Sequence, residues 1–430
     1  MKLLIKNGRV IDPISNTDEV KDLLIEDDKI ILIKKSIHTK SDYLIDAKNC
    51  WVVPGLIDIH VHLREPGFEH KETIETGSQS AAKGGFTTIC CMPNTNPSID
   101  SKAIVEYIQQ KSLKEAIVNV LPIGAITKGQ LGKELTNVQE LAEAGVCGIS
   151  EDGKTVMNCT LMKKALELAA QYKIPVFSHC EDHYLSGDGV MNDGERSKEL
   201  GIKGISSDSE EIIAARDIFL ARNYNVKLHL CHISTGGTVD ILRDAKKKRK
   251  NVTAEVCPHH FTLTEEAVTS ENTNTKMNPP LRTYKDVEKI KKALRDGIID
   301  IIATDHAPHH EREKNVSYKE AAFGIVGLET AVALTITELV DKGVLTPMQM
   351  IEKMSTNPAK LIGIDKGILK VGKTADITII DPEASYDIDV NTFVSKGKNS
   401  PFHGKEVKGK VKSTIVGGKV VVDHGELIKR

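Results

Sequence analysis

Hydrophobic and polar positions change rhythm twice along the chain. Residues 1 to 53 run in short apolar stretches broken by turn residues: LLIKNGRVID carries an Asn-Gly turn, and DLLIEDDKIILIKK repeats a strand, acidic turn, strand pattern. The C-terminal stretch returns to that style, with KGILKVGKTADITIIDP and VKSTIVGGKVVVDHGEL reading as strands separated by Gly-containing turns. Two such flanks predict one small β-sandwich domain assembled from residues 1–53 and 366–430.

Between them, residues 54–365 alternate apolar strand-like runs with helical patterns. The runs are LIDIHVHL (56–63), FTTICCM (86–92), IVNVLPIGA (117–125), VCGISED (146–152), PVFSHC (175–180), KLHLCHIS (227–234), VTAEVCPHH (252–260) and DIIATDHA (300–307). TLMKKALELAAQY and DSEEIIAARDIFLARN carry apolar residues at helical spacing in the gaps. Eight buried strands alternating with helices predict an α/β fold, a (β/α)8 TIM barrel. A doubly wound open sheet fits less well, because no Gly-rich phosphate loop follows the first strand. STNPAKLIGI (355–364) reads as the end of the last barrel helix.

The polar residues fall at one end of these runs. In GLIDIHVHLREPGF (55–68), strand periodicity sends His60, His62 and Arg64 to one face and Ile59, Val61 and Leu63 to the other. Two imidazoles and a guanidinium on a buried face are costly unless something binds them. The other runs finish in Asp152, His179, His232, His259/His260 and Asp305/His306, where a barrel builds its active-site face. Singly, each reads as a hydrogen-bonded structural residue or a turn, and His229, on the opposite strand face from His232, fits that reading. As a set they converge on one rim.

Composition narrows the chemistry. The formal net charge of -2, with 40% hydrophobic and 27% charged residues, offers no attraction to nucleic acid or an anionic membrane. The basic run KKKRK (246–250) reads as the solvated end of a helix. No apolar run reaches the roughly 18 residues of a membrane span, and the N-terminus lacks a signal-peptide core, so a cytoplasmic location is expected. The eight cysteines are scattered without a CxxC pair, as buried reduced thiols are.

Imidazoles and carboxylates suit a divalent transition metal, zinc above all. Six ligands exceed what one catalytic zinc needs, which points to two ions per subunit bridged by a carboxylate and a hydroxide. Asp152 is the candidate bridge, with His60, His62 and Asp305 on one metal and His179 and His232 on the other.

The chain resembles the dihydroorotase family of the amidohydrolase superfamily. The resemblance is carried by DIHVHLREPGFEHKE (58–72), CMPNTNP (91–97), SEDG (150–153), SHCED (178–182), CHIST (231–235), EVCPHH (255–260), KMNPPLR (276–282) and ATDHAPH (303–309). It covers nearly the whole chain, in order. The resemblance implies His60, His62, His179, His232 and Asp305 as metal ligands and Asp305 as general base. Asp152 stands where many superfamily relatives place a carboxylated lysine; Lys154 lies beyond the glycine, in a loop. For the substrate it implies contacts from His62 and Leu63, with Arg64, Asn94 and His309 on a carboxylate and Asn278, Phe323 and Gly324 on the ring. An arginine fork two residues past the metal pair also suits a carboxylate on physical grounds.

The expected activity is reversible hydrolysis of dihydroorotate to N-carbamoyl-aspartate, in pyrimidine biosynthesis. The rivals are an allantoinase or hydantoinase, which Arg64 disfavours because a neutral hydantoin gives it nothing to bind, and a non-catalytic scaffold for aspartate transcarbamoylase, which the six intact ligands disfavour. A homodimer and a complex with aspartate transcarbamoylase are compatible with the resemblance. The segment 309–324 is a long loop beside the expected site.

Overall fold

Eight short parallel strands are interleaved with helices: β1 (Leu56–Val61), β2 (Phe86–Cys91), β3 (Asn119–Pro122, continued by Gly124–Ala125), β4 (Ile149–Ser150), β5 (Val176–Ser178), β6 (Leu228–Leu230), β7 (Val252–Val256) and β8 (Ile301–Ile302). The structure is a computed structural model that describes residues 1–248 and 251–428; Arg249 and Lys250, at the end of the basic run, and Lys429 and Arg430 lie outside the described residues. Each strand pairs in parallel with the next, from β1 through β8. The ring closes where Val61 bridges His306 and the His62 N–H donates to the His306 carbonyl at 2.9 Å. This is the (β/α)8 barrel that the alternation predicts.

The helices form where the apolar spacing places them. Cys159–Tyr172 buries Met162, Ala165, Leu166 and Ala169, one stripe at three-to-four-residue spacing, and Asn158 caps it by accepting from the N–H groups of Thr160 and Leu161. Ser207–Ala221 is capped in the same way by Ser206. The main apolar cluster joins strand residues Leu56, Phe86, Val176 and Val256 to helix residues Ala165, Ile213, Leu242 and Ile290. Among the described residues no helix is long and apolar enough to cross a membrane, and all eight cysteines are free, six of them buried.

Strands from both chain ends share one nine-stranded sheet, in which Trp51–Pro54 from the N-terminal side pairs antiparallel with Ile377–Asp387 from the C-terminal side. Its core is separate from the barrel's and includes Leu3, Ile5, Leu23, Ile25, Val52 and Ile377. The Asn-Gly pair does not turn the chain as the sequence suggests. Lys2–Asp12 is one continuous strand, and Asn7, at φ 62°, makes a bulge where the register with Thr17–Glu26 shifts. The reason lies across the sheet: the Asn7 N–H donates to Asp22 Oδ1 at 2.9 Å, and a Cβ on Gly8 would stand 2.3 Å from Val52 Cγ2. Gly8→Ala is therefore expected to overpack this sheet and destabilise the protein by about 1–3 kcal/mol, measured by denaturant unfolding.

Candidate metal and substrate site

The site is built from the residues just beyond the strand ends. His62 follows β1, Asp152 follows β4, His179 follows β5, His232 follows β6 and Asp305 follows β8, each within three residues of the last strand position. Arg64, His232 and Asp305 have left-handed backbones, with φ of 61°, 31° and 47°. Such conformations are unfavourable for branched or bulky residues and are held only where surrounding contacts over-determine them. They also correct the simple face argument for Arg64: β1 ends at Val61, and the left-handed turn, not strand alternation, aims the guanidinium.

Asp152 lies at the centre. Its Oδ1 is 3.2 Å from His60 Nε2 and 3.6 Å from both His179 Nδ1 and His232 Nε2, while its Oδ2 is 3.5 Å from His62 Nε2. Asp305 Oδ1 stands 3.0 Å from His62 Nε2 and 3.5 Å from His60 Nε2. All six side chains are buried. Burial alone would raise the Asp152 carboxyl, but the charge of His60 and the close imidazoles of His179 and His232 hold it well below its ordinary range. Burial likewise opposes charge on His60, yet Asp305, Glu255 and Asp152 keep its imidazole well above its ordinary value.

The carboxylates thus call for positive charge at the middle of the cluster. A metal fits there on a second count: His60 Nε2 and Asp152 Oδ1 face each other, buried, with no hydrogen-bond partner. His60–His62–Asp152, Asp152–His179–His232 and His60–His232–Asp305 each bring three donor atoms within 4.8 Å of one another. Asp152, His60 and His232 each belong to two of these triplets.

Each of three imidazoles is oriented from behind by an oxygen. His60 Nδ1 is 2.5 Å from Glu255 Oε1, His62 Nδ1 is 2.8 Å from Asn94 Oδ1, and His179 Nε2 is 3.1 Å from Glu181 Oε2. A carboxylate or amide oxygen in this position leaves the other ring nitrogen free to ligate. His229, read as structural, holds Glu255 Oε2 at 3.0 Å through Nε2. Sequence reasoning missed Glu255 and Glu181; a glutamate inside the apolar run VTAEVC was the available signal. It also missed Asp58, whose carboxylate accepts from the backbone N–H groups of His60 and Thr304 and so ties β1 to the end of β8.

A cleft of about 200 Å³ opens above the cluster, lined by His62, Arg64, Asn94, Asp152, Gly153, His179, His232, Met277, Asn278, Asp305, Ala307, His309 and Phe323. Arg64 and His309 stand together on one wall, Nη2 to Nε2 at 3.3 Å, and Arg64 Nε donates to the Pro308 carbonyl at 3.2 Å. Burial and the neighbouring arginine push His309 down to about 3, so it is neutral. Asn278 donates to Glu181 Oε2 at 2.9 Å. Loop 309–324 is pinned: Glu313 pairs with Lys71 at 2.7 Å, and Lys314 Nζ donates to the Ala322 carbonyl at 2.8 Å.

Several rim residues point elsewhere. The Leu63 side chain is buried in the main apolar core, where its Cδ2 lies next to Gly77, and it does not line the cleft. His306 turns to Glu72 Oε2 at 3.3 Å, and His260 Nε2 meets the Pro279 carbonyl at 2.9 Å. Lys154 donates to the Gln130 carbonyl at 2.9 Å, away from the cluster.

Residues 50–237 match the dihydro-orotase-like family model, and residues 243–422 match the amidohydrolase family model. The chain is 54% identical to the dihydroorotase of Acetivibrio thermocellus over 99% of this chain and 100% of that one. It is 53% identical to the dihydroorotase of Pelotomaculum thermopropionicum over 98% and 99%. Among solved structures, the L-hydantoinase (dihydropyrimidinase) from Arthrobacter aurescens superposes with a TM-score of 0.88 at 25% identity, covering 99% of this chain and 97% of that chain.

Glu255→Gln keeps the shape of the carboxylate but removes its charge from between His60 and His229. Denaturant unfolding should show a loss of about 1–3 kcal/mol.

Proposed function

Because the chain belongs to the dihydroorotase family of amidohydrolases, we propose that it interconverts dihydroorotate and N-carbamoyl-aspartate on a pair of zinc ions held at the barrel rim. His60, His62 and Asp305 would hold one ion, His179 and His232 the other, with Asp152 between them. The observation that carries the reading is the pairing of an acidic, histidine-rich cluster with a cationic wall: Arg64, beside His309, faces the same 200 Å³ cleft as five of the six candidate ligands, with His60 buried beneath them.

Bound zinc supplies Lewis acidity toward the ring carbonyl and makes water nucleophilic near neutral pH. The protein's own groups do the rest. Arg64 takes the substrate carboxylate through its planar fork, with Asn94 and His309 beside it, and this fixes which ring bond lies over the cluster. Asn278 and the Phe323–Gly324 backbone would read the ring edge. Asp305 accepts the proton of the attacking water at its carboxylate and hands it to the ring nitrogen as the amide C–N bond breaks; ring closure runs the same transfers backwards. His60, His62 and His232 surround that carboxylate and, against the effect of burial, keep it ionised, the state a general base requires.

A hydantoinase reading shares the metal cluster but leaves Arg64 without a partner. The two readings separate on one variant. Arg64→Met should raise KM for dihydroorotate at least tenfold while leaving hydrolysis of a carboxylate-free hydantoin, if any is seen, unchanged; equal effects on both would remove the carboxylate role. Asp305→Asn should lower turnover by about 10²- to 10⁴-fold with metal still bound, as read by elemental analysis beside the assay. Wild-type protein should carry two zinc ions per chain, and their removal by a chelator should abolish dihydroorotate hydrolysis until zinc is restored.

A further inference from the structure

The substrate wall is not made by the barrel alone. Asn399, from the C-terminal flank, is buried at 4% exposure and reaches both ends of the loop that carries His309 and Gly324. Its Oδ1 accepts from the His309 N–H at 3.0 Å, and its Nδ2 donates to the Ala307 and Gly324 carbonyls, each at 3.0 Å. Its own carbonyl accepts from the Val326 N–H at 3.0 Å. These partners are backbone groups with fixed roles, so the orientation of the amide follows from them without ambiguity.

We propose that Asn399 is a positioning residue for catalysis that sets the spacing between the carboxylate wall, Arg64 and His309, and the ring-reading backbone at Phe323–Gly324. The inference rests on the substrate reading above. One side chain binds the chain before the loop, at Ala307 and His309, and after it, at Gly324, so it fixes the gap between them. That gap is tight: a Cβ on Gly324 would lie 2.6 Å from the Ala307 carbonyl oxygen and 2.8 Å from His309 Cδ2. His309 Nε2 meets the Phe323 carbonyl at 2.8 Å across it.

The segment bearing Asn399 is itself anchored to the barrel. Ser395 Oγ donates to Glu72 Oε2 at 2.6 Å, its N–H donates to Glu329 Oε1 at 3.1 Å, and Lys396 Nζ donates to the Glu69 carbonyl at 2.6 Å. Gly397 lets this strip lie against Pro308, whose carbonyl holds Arg64; a Cβ there would come within 2.7 Å of Pro308 Cβ. Both halves of the carboxylate wall are therefore set from the C-terminal flank. A displacement of about 1 Å in such a wall is enough to lose a productive pose.

The test uses the zinc-loaded full chain. Asn399→Asp keeps the acceptor for His309 and removes both donors, while Asn399→Ala removes all three side-chain bonds. For each variant, KM and kcat for dihydroorotate, zinc content and amide hydrogen exchange over residues 307–326 are measured. We expect KM to rise at least tenfold with kcat within threefold, zinc unchanged, and exchange accelerated at least tenfold in 307–326 but not in the barrel strands. Wild-type KM and wild-type exchange in the Asp variant would overturn the proposal, as would a fall in kcat alone, the mark of a merely smaller folded fraction. If wild-type protein does not turn over dihydroorotate, the substrate reading fails by itself, and the exchange at 307–326 then decides whether Asn399 sets the loop. Should the Ala variant not fold, the isosteric Asp variant carries the test.

Discussion

Everything at the catalytic end of the barrel is arranged around one buried oxygen, Asp152 Oδ1, facing three imidazoles at 3.2–3.6 Å without a hydrogen bond. A carboxylate removed from water needs compensating positive charge, and protons on the imidazoles or a divalent cation are the available sources. With a cation, the imidazoles stay neutral and the unpartnered donor atoms gain a common ligand. The need for that charge arises only from the six residues considered together, which is why no single one of them reads as functional.

Holding that set together is the work of groups that do not touch it. Glu255 stands between His60 and His229, Glu181 between His179 and Asn278, and Asn94 behind His62. Glu181 and Asn94 belong to two shells at once: each orients an imidazole of the cluster and also meets, or itself supplies, a group facing the substrate cleft. The histidine cluster and the wall of the cleft are mechanically joined at these points. Glu255 Oε1 also accepts from the His232 N–H at 3.2 Å, at one of the left-handed backbones of the rim.

Parts of the architecture were legible one element at a time. Apolar runs located the eight strands, and helical spacing located Cys159–Tyr172 and Ser207–Ala221, because burial on one face imposes a period that survives in the residue order. The Asn-Gly pair at positions 7 and 8 misled, since the same dipeptide serves a hairpin turn or a bulge, and only the neighbouring strand residues Asp22 and Val52 decide which. His306 and His260 sit on the rim as the strand ends suggest, yet their rings point to Glu72 and the Pro279 carbonyl. A side chain's direction past a strand end depends on backbone angles that alternation does not encode.

By itself the sequence determined the alternating fold, the rim on which polar residues gather, the two histidines at the end of the first strand and, through its ordered motifs, the family. These are local or additive properties: each run's burial period and each motif's residues are present before anything folds. Which rim side chains turn inward together, which carboxylate stands behind which imidazole, and how Asn399 reaches across to His309 and Gly324 were decided only by the tertiary structure. Several of those relations join residues far apart in the chain, 75 positions for Asn399 with Gly324 and 195 for His60 with Glu255. Only closing the barrel and laying the C-terminal flank against it brings such groups within hydrogen-bonding distance.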